Sequence, residues 1–218
     1  MRCFKILSFA TVAAVGACGQ DKPLDSYAQT LQAMDETACA GESSGGLKTD
    51  FAADGTWDPF GTYGRGPIGQ FVTAGDVSCS GLPGAEPSGY PPQCPAGSLT
   101  HVRGLTLIDR MTSSNPNANT WLTIAINANW DRIGAGPLWG RFSAEIDGGG
   151  AWEGTFVGKR TYEPTGCDGA PCYIESIRGV GCGEGGAVDG MKFRAREVIE
   201  LSSAHPIAFV STLSGEYW

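Results

Sequence analysis

The chain has 218 residues, 41% of them hydrophobic, with 33 glycines, 13 prolines and a formal net charge of -8. That length and apolar content suit one ordinary core with appendages, and glycine far above the usual share of about 7%, without a G-X-Y repeat, excludes a collagen-like fibre and points to many turns. An acidic, aromatic-containing chain also disfavours nucleic acid and anionic lipid headgroups as partners.

Residues 1–17 read as a signal peptide. Arg2 and Lys5 form a short basic start, Ile6 to Val15 is an apolar run too short to span a bilayer comfortably, and Val15, Gly16 and Ala17 are small enough for cleavage. Cys18 follows, and Val15-Gly16-Ala17-Cys18 resembles the bacterial lipobox. The resemblance implies that Cys18 becomes the lipid-modified first residue of the mature protein, anchored to a membrane of the bacterial cell envelope. Gly19 in place of an aspartate implies, by resemblance to bacterial sorting rules, the outer membrane. A plain secretory signal cut near Ala17, giving a secreted or periplasmic protein, is the alternative. Loss of Arg2 and Lys5 with the leader leaves 13 basic against 23 acidic residues, a net charge of -10.

Export into an oxidising compartment decides how the remaining cysteines are read. Cys39, Cys79, Cys94, Cys167, Cys172 and Cys182 form an even set for which 15 pairings are possible. The spacing favours Cys79 with Cys94 across a Pro/Gly loop and Cys167 with Cys172 around a short turn, which leaves Cys39 for Cys182. A metal site is disfavoured, because no C-x-x-C pair exists and His101 and His205 lack ligand spacing.

Residues 18–48 read as a tether. Tyr27, Leu31 and Met34 stand at helical spacing, so one short helix over Ser26 to Ala38 is predicted before a Gly/Ser stretch breaks it. Residues 49–218 form the folded domain. Its first part, to Ser98, is rich in glycine and proline and is expected to be irregular and disulfide-pinned, with one or two short strands.

Regular strands then follow. His101 to Asp109 is the first, and Thr120 to Trp130 alternates, with Leu122, Ile124, Ile126, Ala128 and Trp130 on one face. Leu138, Gly140, Phe142, Ala144 and Ile146 form the next inward row, and Trp152, Gly154, Phe156 and Gly158 the one after, with Asp147 to Gly150 as the hairpin turn between them. Tyr173 to Val180, Val188 to Ile199 and Pro206 to Tyr217 complete about seven strands. Short links with no helical pattern favour an all-β, single antiparallel up-and-down barrel, with a β-sandwich as the competitor. The alternation of glycines with aromatics, G-x-W-x-G-T-F-x-G, resembles that of barrel proteins of the allene oxide cyclase and dirigent type. That resemblance implies a fold and no activity.

Standard catalytic signatures are missing from the chain. There is no G-x-S-x-G, no H-E-x-x-H and no phosphate loop, and Gly181, Gly183 and Gly186 precede a strand pattern where a dinucleotide site needs a helix. No cofactor is implied. Asn127, Asn129 and Asp131 imitate the start of a calcium loop, but Arg132 stands where glycine is required, and polar positions on an outer face are the simpler reading. Trp121 and Trp139 fall on nominally polar faces, either as a contact surface or as residues that other segments cover.

One constellation remains. Strict alternation puts Arg160 in the row of Trp152 and Phe156, Glu175 in that of Tyr173, and Glu197 in that of Phe193, all on the apolar inner face. Charges there are costly unless paired, so these seven residues are the candidate pocket, weighed against strand-end salt bridges facing solvent. The function expected is a non-enzymatic, lipid-anchored envelope protein that binds a small apolar ligand or an envelope partner. The alternatives are an isomerase-like or cyclase-like barrel using Glu175 or Glu197 as acid/base, and a structural surface lipoprotein with a solid core.

Overall fold

A computed structural model describes residues 47–61, 66–89, 92–167, 169–202 and 208–218, and over these the chain is all-β. The leader, Cys18, Cys39 and the helix expected over Ser26 to Ala38 lie outside the described residues. Ten strands follow in order: β1 (Thr49–Trp57), β2 (Gln70–Thr73), β3 (Asp76–Ser80), β4 (Leu99–Thr112), β5 (Thr120–Trp130), β6 (Gly136–Ile146), β7 (Ala151–Cys167), β8 (Ala170–Glu184), β9 (Lys192–Ser202) and β10 (Phe209–Tyr217).

From β4 to β10 each strand pairs antiparallel with the next. The sheet closes through β1, which pairs with β10 from Thr49 opposite Tyr217 to Trp57 opposite Phe209. On its other flank, Asp54, Gly55 and Thr56 of β1 meet Thr112, Met111 and Arg110 of β4. The result is one continuous barrel-like ring of eight strands, not two stacked sheets. Strands β2 and β3 pair with β4 beyond the reach of β1.

The closing strand comes from the segment expected to be mostly irregular. Thr49–Trp57 contains Asp50, Asp54 and Gly55, which weaken its strand signal, yet Phe51, Ala53 and Trp57 keep the period of two. The strand expected from Val188 begins only at Lys192, because Gly186–Val188 forms a short 3₁₀ helix that carries Val188 into the core.

Glycines opposite aromatics set the curvature of the wall. Phe142 lies directly across from Gly154, Phe156 from Gly140, Phe193 from Gly181 and Phe51 from Gly215. In each pair the ring covers its glycine so closely that a Cβ there would come within 3 Å of the ring edge. The glycines let the strands bend, and the rings cover the backbone that they leave bare.

The inner rows merge into one core that includes Leu107, Met111, Leu122, Ile124, Leu138, Trp152, Phe156 and Phe193. The outer wall carries exposed Arg141, Glu145, Lys159, Arg194 and Arg196, a surface suited to water and not to hydrocarbon. Trp121 and Trp139 also face outward. Arg110 lies over the first and Arg103 over the second, each with its guanidinium 5.2 Å from a ring centroid. Two disulfides, Cys79–Cys94 and Cys167–Cys172, join the residues expected from their spacing. Cys182 is also disulfide-bonded, and Cys39, its expected partner, is outside the described residues.

Candidate functional site

The ring encloses a partly open cavity of about 380 Å³. All seven side chains nominated from the sequence line it: Trp152, Phe156 and Arg160 from β7, Tyr173 and Glu175 from β8, Phe193 and Glu197 from β9. Unbroken alternation on these three strands brings them to one surface, and the remaining lining is mostly apolar.

One end of the lumen is aromatic. Trp152 packs on Phe193 at 5.0 Å and on Tyr217 at 5.6 Å between ring centroids, and Phe142 meets Phe193 edge to face at 5.5 Å. The short 3₁₀ helix Pro116–Ala118 lies against this end. Trp152 Nε1 donates to the carbonyl of Asn117 at 2.8 Å, and Ala118 joins the lining.

Toward the other end Arg160 and Glu175 form an ion pair. Both Nε, at 2.7 Å, and Nη2, at 2.5 Å, reach Glu175 Oε1, and the two side chains are only 15% and 8% exposed. The guanidinium also lies over Trp130, 3.7 Å from its centroid, with Tyr173 at 5.4 Å. Tyr173 in turn donates its hydroxyl to the carbonyl of Ile133 at 3.0 Å, tying β8 to the loop between β5 and β6. The sequence singled out the arginine and the glutamate, whereas the stacking of Arg160 on Trp130 required coordinates.

Glu197 differs. It is buried, it lines the cavity, and its Oε1 has no hydrogen-bond partner. Burial pushes its pKa from 4.5 to about 7; the Ser211 hydroxyl opposes the rise and the negative charge of Glu175 adds to it. That hydroxyl is itself buried, close enough to favour the charged carboxylate but outside hydrogen-bond geometry. Gly55 on β1 makes room for it, because a Cβ at that position would collide with Ser211 Oγ and approach Met111 Sδ at 2.8 Å. Beneath the lining lies Asp109, fully buried, with neither carboxyl oxygen in hydrogen-bond geometry. Burial holds its pKa well above the usual carboxylate range, Glu197 adds to the rise, and the nearby backbone amides of Arg110 and Thr56 only partly offset it.

Asp109 escapes a sequence reading for an identifiable reason. Counting in twos from the buried Val102 puts Asp109 on the outer face. A bulge between Val102 and Leu105, with Gly104 at φ 72°, inserts one residue and turns Leu105, Leu107, Asp109 and Met111 inward. The glycine in the middle of His101 to Asp109 was the available signal.

The triplet resembling a calcium loop is dispersed. Asn129 Oδ1 accepts from Arg103 Nη2 at 2.7 Å and pairs with His101 Nδ1 at 3.0 Å, while Asp131 Oδ1 accepts the backbone N–H groups of Ile133 and Ala135. These contacts tie Asn129 to β4 and Asp131 to the turn between β5 and β6.

No family model, curated protein or solved structure matches this chain. The lumen itself is therefore the guide to function.

Proposed function

We propose that the protein binds a small, largely apolar ligand inside the ring, as a non-enzymatic component of the cell envelope held there by a lipid on Cys18. The observation that carries this reading is an interior of about 380 Å³ that the side chains of the described residues leave unfilled. Interiors are normally packed like organic crystals, and a void of this size forfeits contacts that a ligand would restore. The Arg160–Glu175 pair and Glu197 supply the few convergent polar groups that orient a ligand in a greasy site.

An environment-sensitive hydrophobic dye should bind saturably with one site per chain. Ala195→Phe and Ile177→Phe each place a ring in the lumen and should abolish that binding while the protein still melts cooperatively. Dye binding that persists in both folded variants would place the dye elsewhere and refute the reading. The anchor has a separate test: the mature N-terminus should carry a diacylated or triacylated Cys18 by mass spectrometry, and an unmodified start at Cys18 or Gly19 would refute it.

A second reading is favoured by Glu197. A lumen carboxyl whose pKa lies near 7 can both give and take a proton at neutral pH, as an acid/base catalyst must. On that reading Glu197→Gln abolishes turnover while ligand binding survives.

A further inference from the structure

Granting that the cavity is a ligand site, its polar groups narrow the chemistry of what it takes. Among the described residues Arg160 is the cation that lines the lumen, and it is already paired: Nε and Nη2 both hold Glu175 Oε1, and its flat face covers Trp130. Glu197 also reaches the lining, and no cation pairs with it: its buried Oε1 has no hydrogen-bond partner. The groups around it are also acidic or neutral: Glu175 on β8, Asp109 on β4, Ser211 and Leu213 on β10, with Arg160 beyond Glu175. A carboxylate-bearing ligand would meet two acids and, among the described residues, no free cation.

From this arrangement we infer that the cavity selects an apolar ligand bearing a protonated amine, whose ammonium group pairs with Glu197, the lining acid that Arg160 does not reach. The alkyl or aryl body of such a ligand fills the aromatic end, around Trp152 and Phe193. The ammonium donates to the Glu197 carboxylate where that side chain reaches the lining, so a buried acid gains a charge-assisted bond.

Proton linkage follows. Glu197 holds its proton up to about pH 7 in the empty protein, and pairing with an ammonium requires the carboxylate, so binding at pH 6 expels that proton to the buffer. Amine affinity therefore rises between pH 6 and pH 8, as Glu197 loses its proton in the free protein.

The test compares octylamine, octanol and octanoate by calorimetry on the full mature chain. Octylamine should bind at least tenfold tighter than octanoate at pH 8, and tighter than octanol. At pH 6 its heat should vary with the ionisation enthalpy of the buffer, reporting a released proton. In Glu197→Gln the ratio of amine to alcohol affinity should fall toward unity. Octanoate binding as tightly as octylamine, or an amine-to-alcohol ratio unchanged in the variant, overturns the assignment. Should the variant fold poorly, the wild-type ranking decides the matter, since octylamine bound no tighter than octanol and octanoate at pH 8 also overturns it. Octanol bound without any preference for the amine would remove the ammonium inference and leave the ligand-binding reading standing. Failure of all three to bind would remove both.

Discussion

Arg160 and Glu175 meet on adjacent strands, β7 and β8, at directly opposed positions, and the carboxylate receives two nitrogens of the same guanidinium. Register alone delivers this contact. In a lumen it leaves each charge dependent on the other, since neither has bulk water to fall back on.

Arg160→Met should therefore destabilise the protein by about 3 kcal/mol, because Glu175 is left buried without its cation. Replacing both, as Arg160→Met with Glu175→Leu, should recover most of that loss. Urea denaturation of the three proteins checks both statements, and a double variant no better than the single one would contradict the argument.

The acids of the lumen predict how stability varies with pH. Folded Glu197 keeps its proton to about pH 7 and the unfolded chain only to 4.5. Between those values the folded state holds the extra proton, so stability falls as pH rises, by roughly 3 kcal/mol for that difference in pKa. Asp109 is shifted in the same direction and extends the decline. Thermal melting from pH 4.5 to pH 8 should show the fall, and Glu197→Gln should flatten it and raise the melting temperature at pH 8.

The glycines under aromatic rings offer a paired test. A Cβ on Gly154 would lie against the carbonyl of Val180 and 2.5 Å from Phe142, whereas one on Gly148 meets nothing within 4 Å. Gly154→Ala should cost about 1–3 kcal/mol, the usual range for overpacking, and Gly148→Ala should be neutral or slightly stabilising. Chemical denaturation separates them.

Loss of the Cys79–Cys94 bridge should act on both stability and access. It closes a segment with a sequence separation of 15, for which loop entropy gives about 3 kcal/mol. Cys94, Gln93 and Pro92 also line the cavity, so the double serine variant should exchange a bound dye faster than the parent. Dye dissociation measured by stopped-flow fluorescence tests the second effect.

Much of this was legible before coordinates. From Thr120 onward, inward rows such as Ile124 with Trp130 and Trp152 with Phe156 follow strict alternation, and the chain repeats this pattern with short links, so seven of the eight ring strands and the seven nominated lining residues could be read directly. Two features could not. Asp109 reaches the interior only because a bulge at Gly104 adds one residue, and a single-residue slip reverses every later side chain. Thr49–Trp57 becomes a ring strand through partners at the far end of the chain, Phe209 to Tyr217, a relation that no local pattern encodes.

That last pairing bears on how the molecule is made. A ribosome releases Thr49 long before Tyr217, and until Tyr217 emerges the first strand has no mate on one side. Seven strands can zip sequentially through neighbouring hairpins, but the seam must wait for β10 and then join distant parts of the domain. A chain without β10 would be an open, curled sheet with two bare edges, prone to join its own kind, so assembly quality should depend on an intact β10 more than on any single lumen residue.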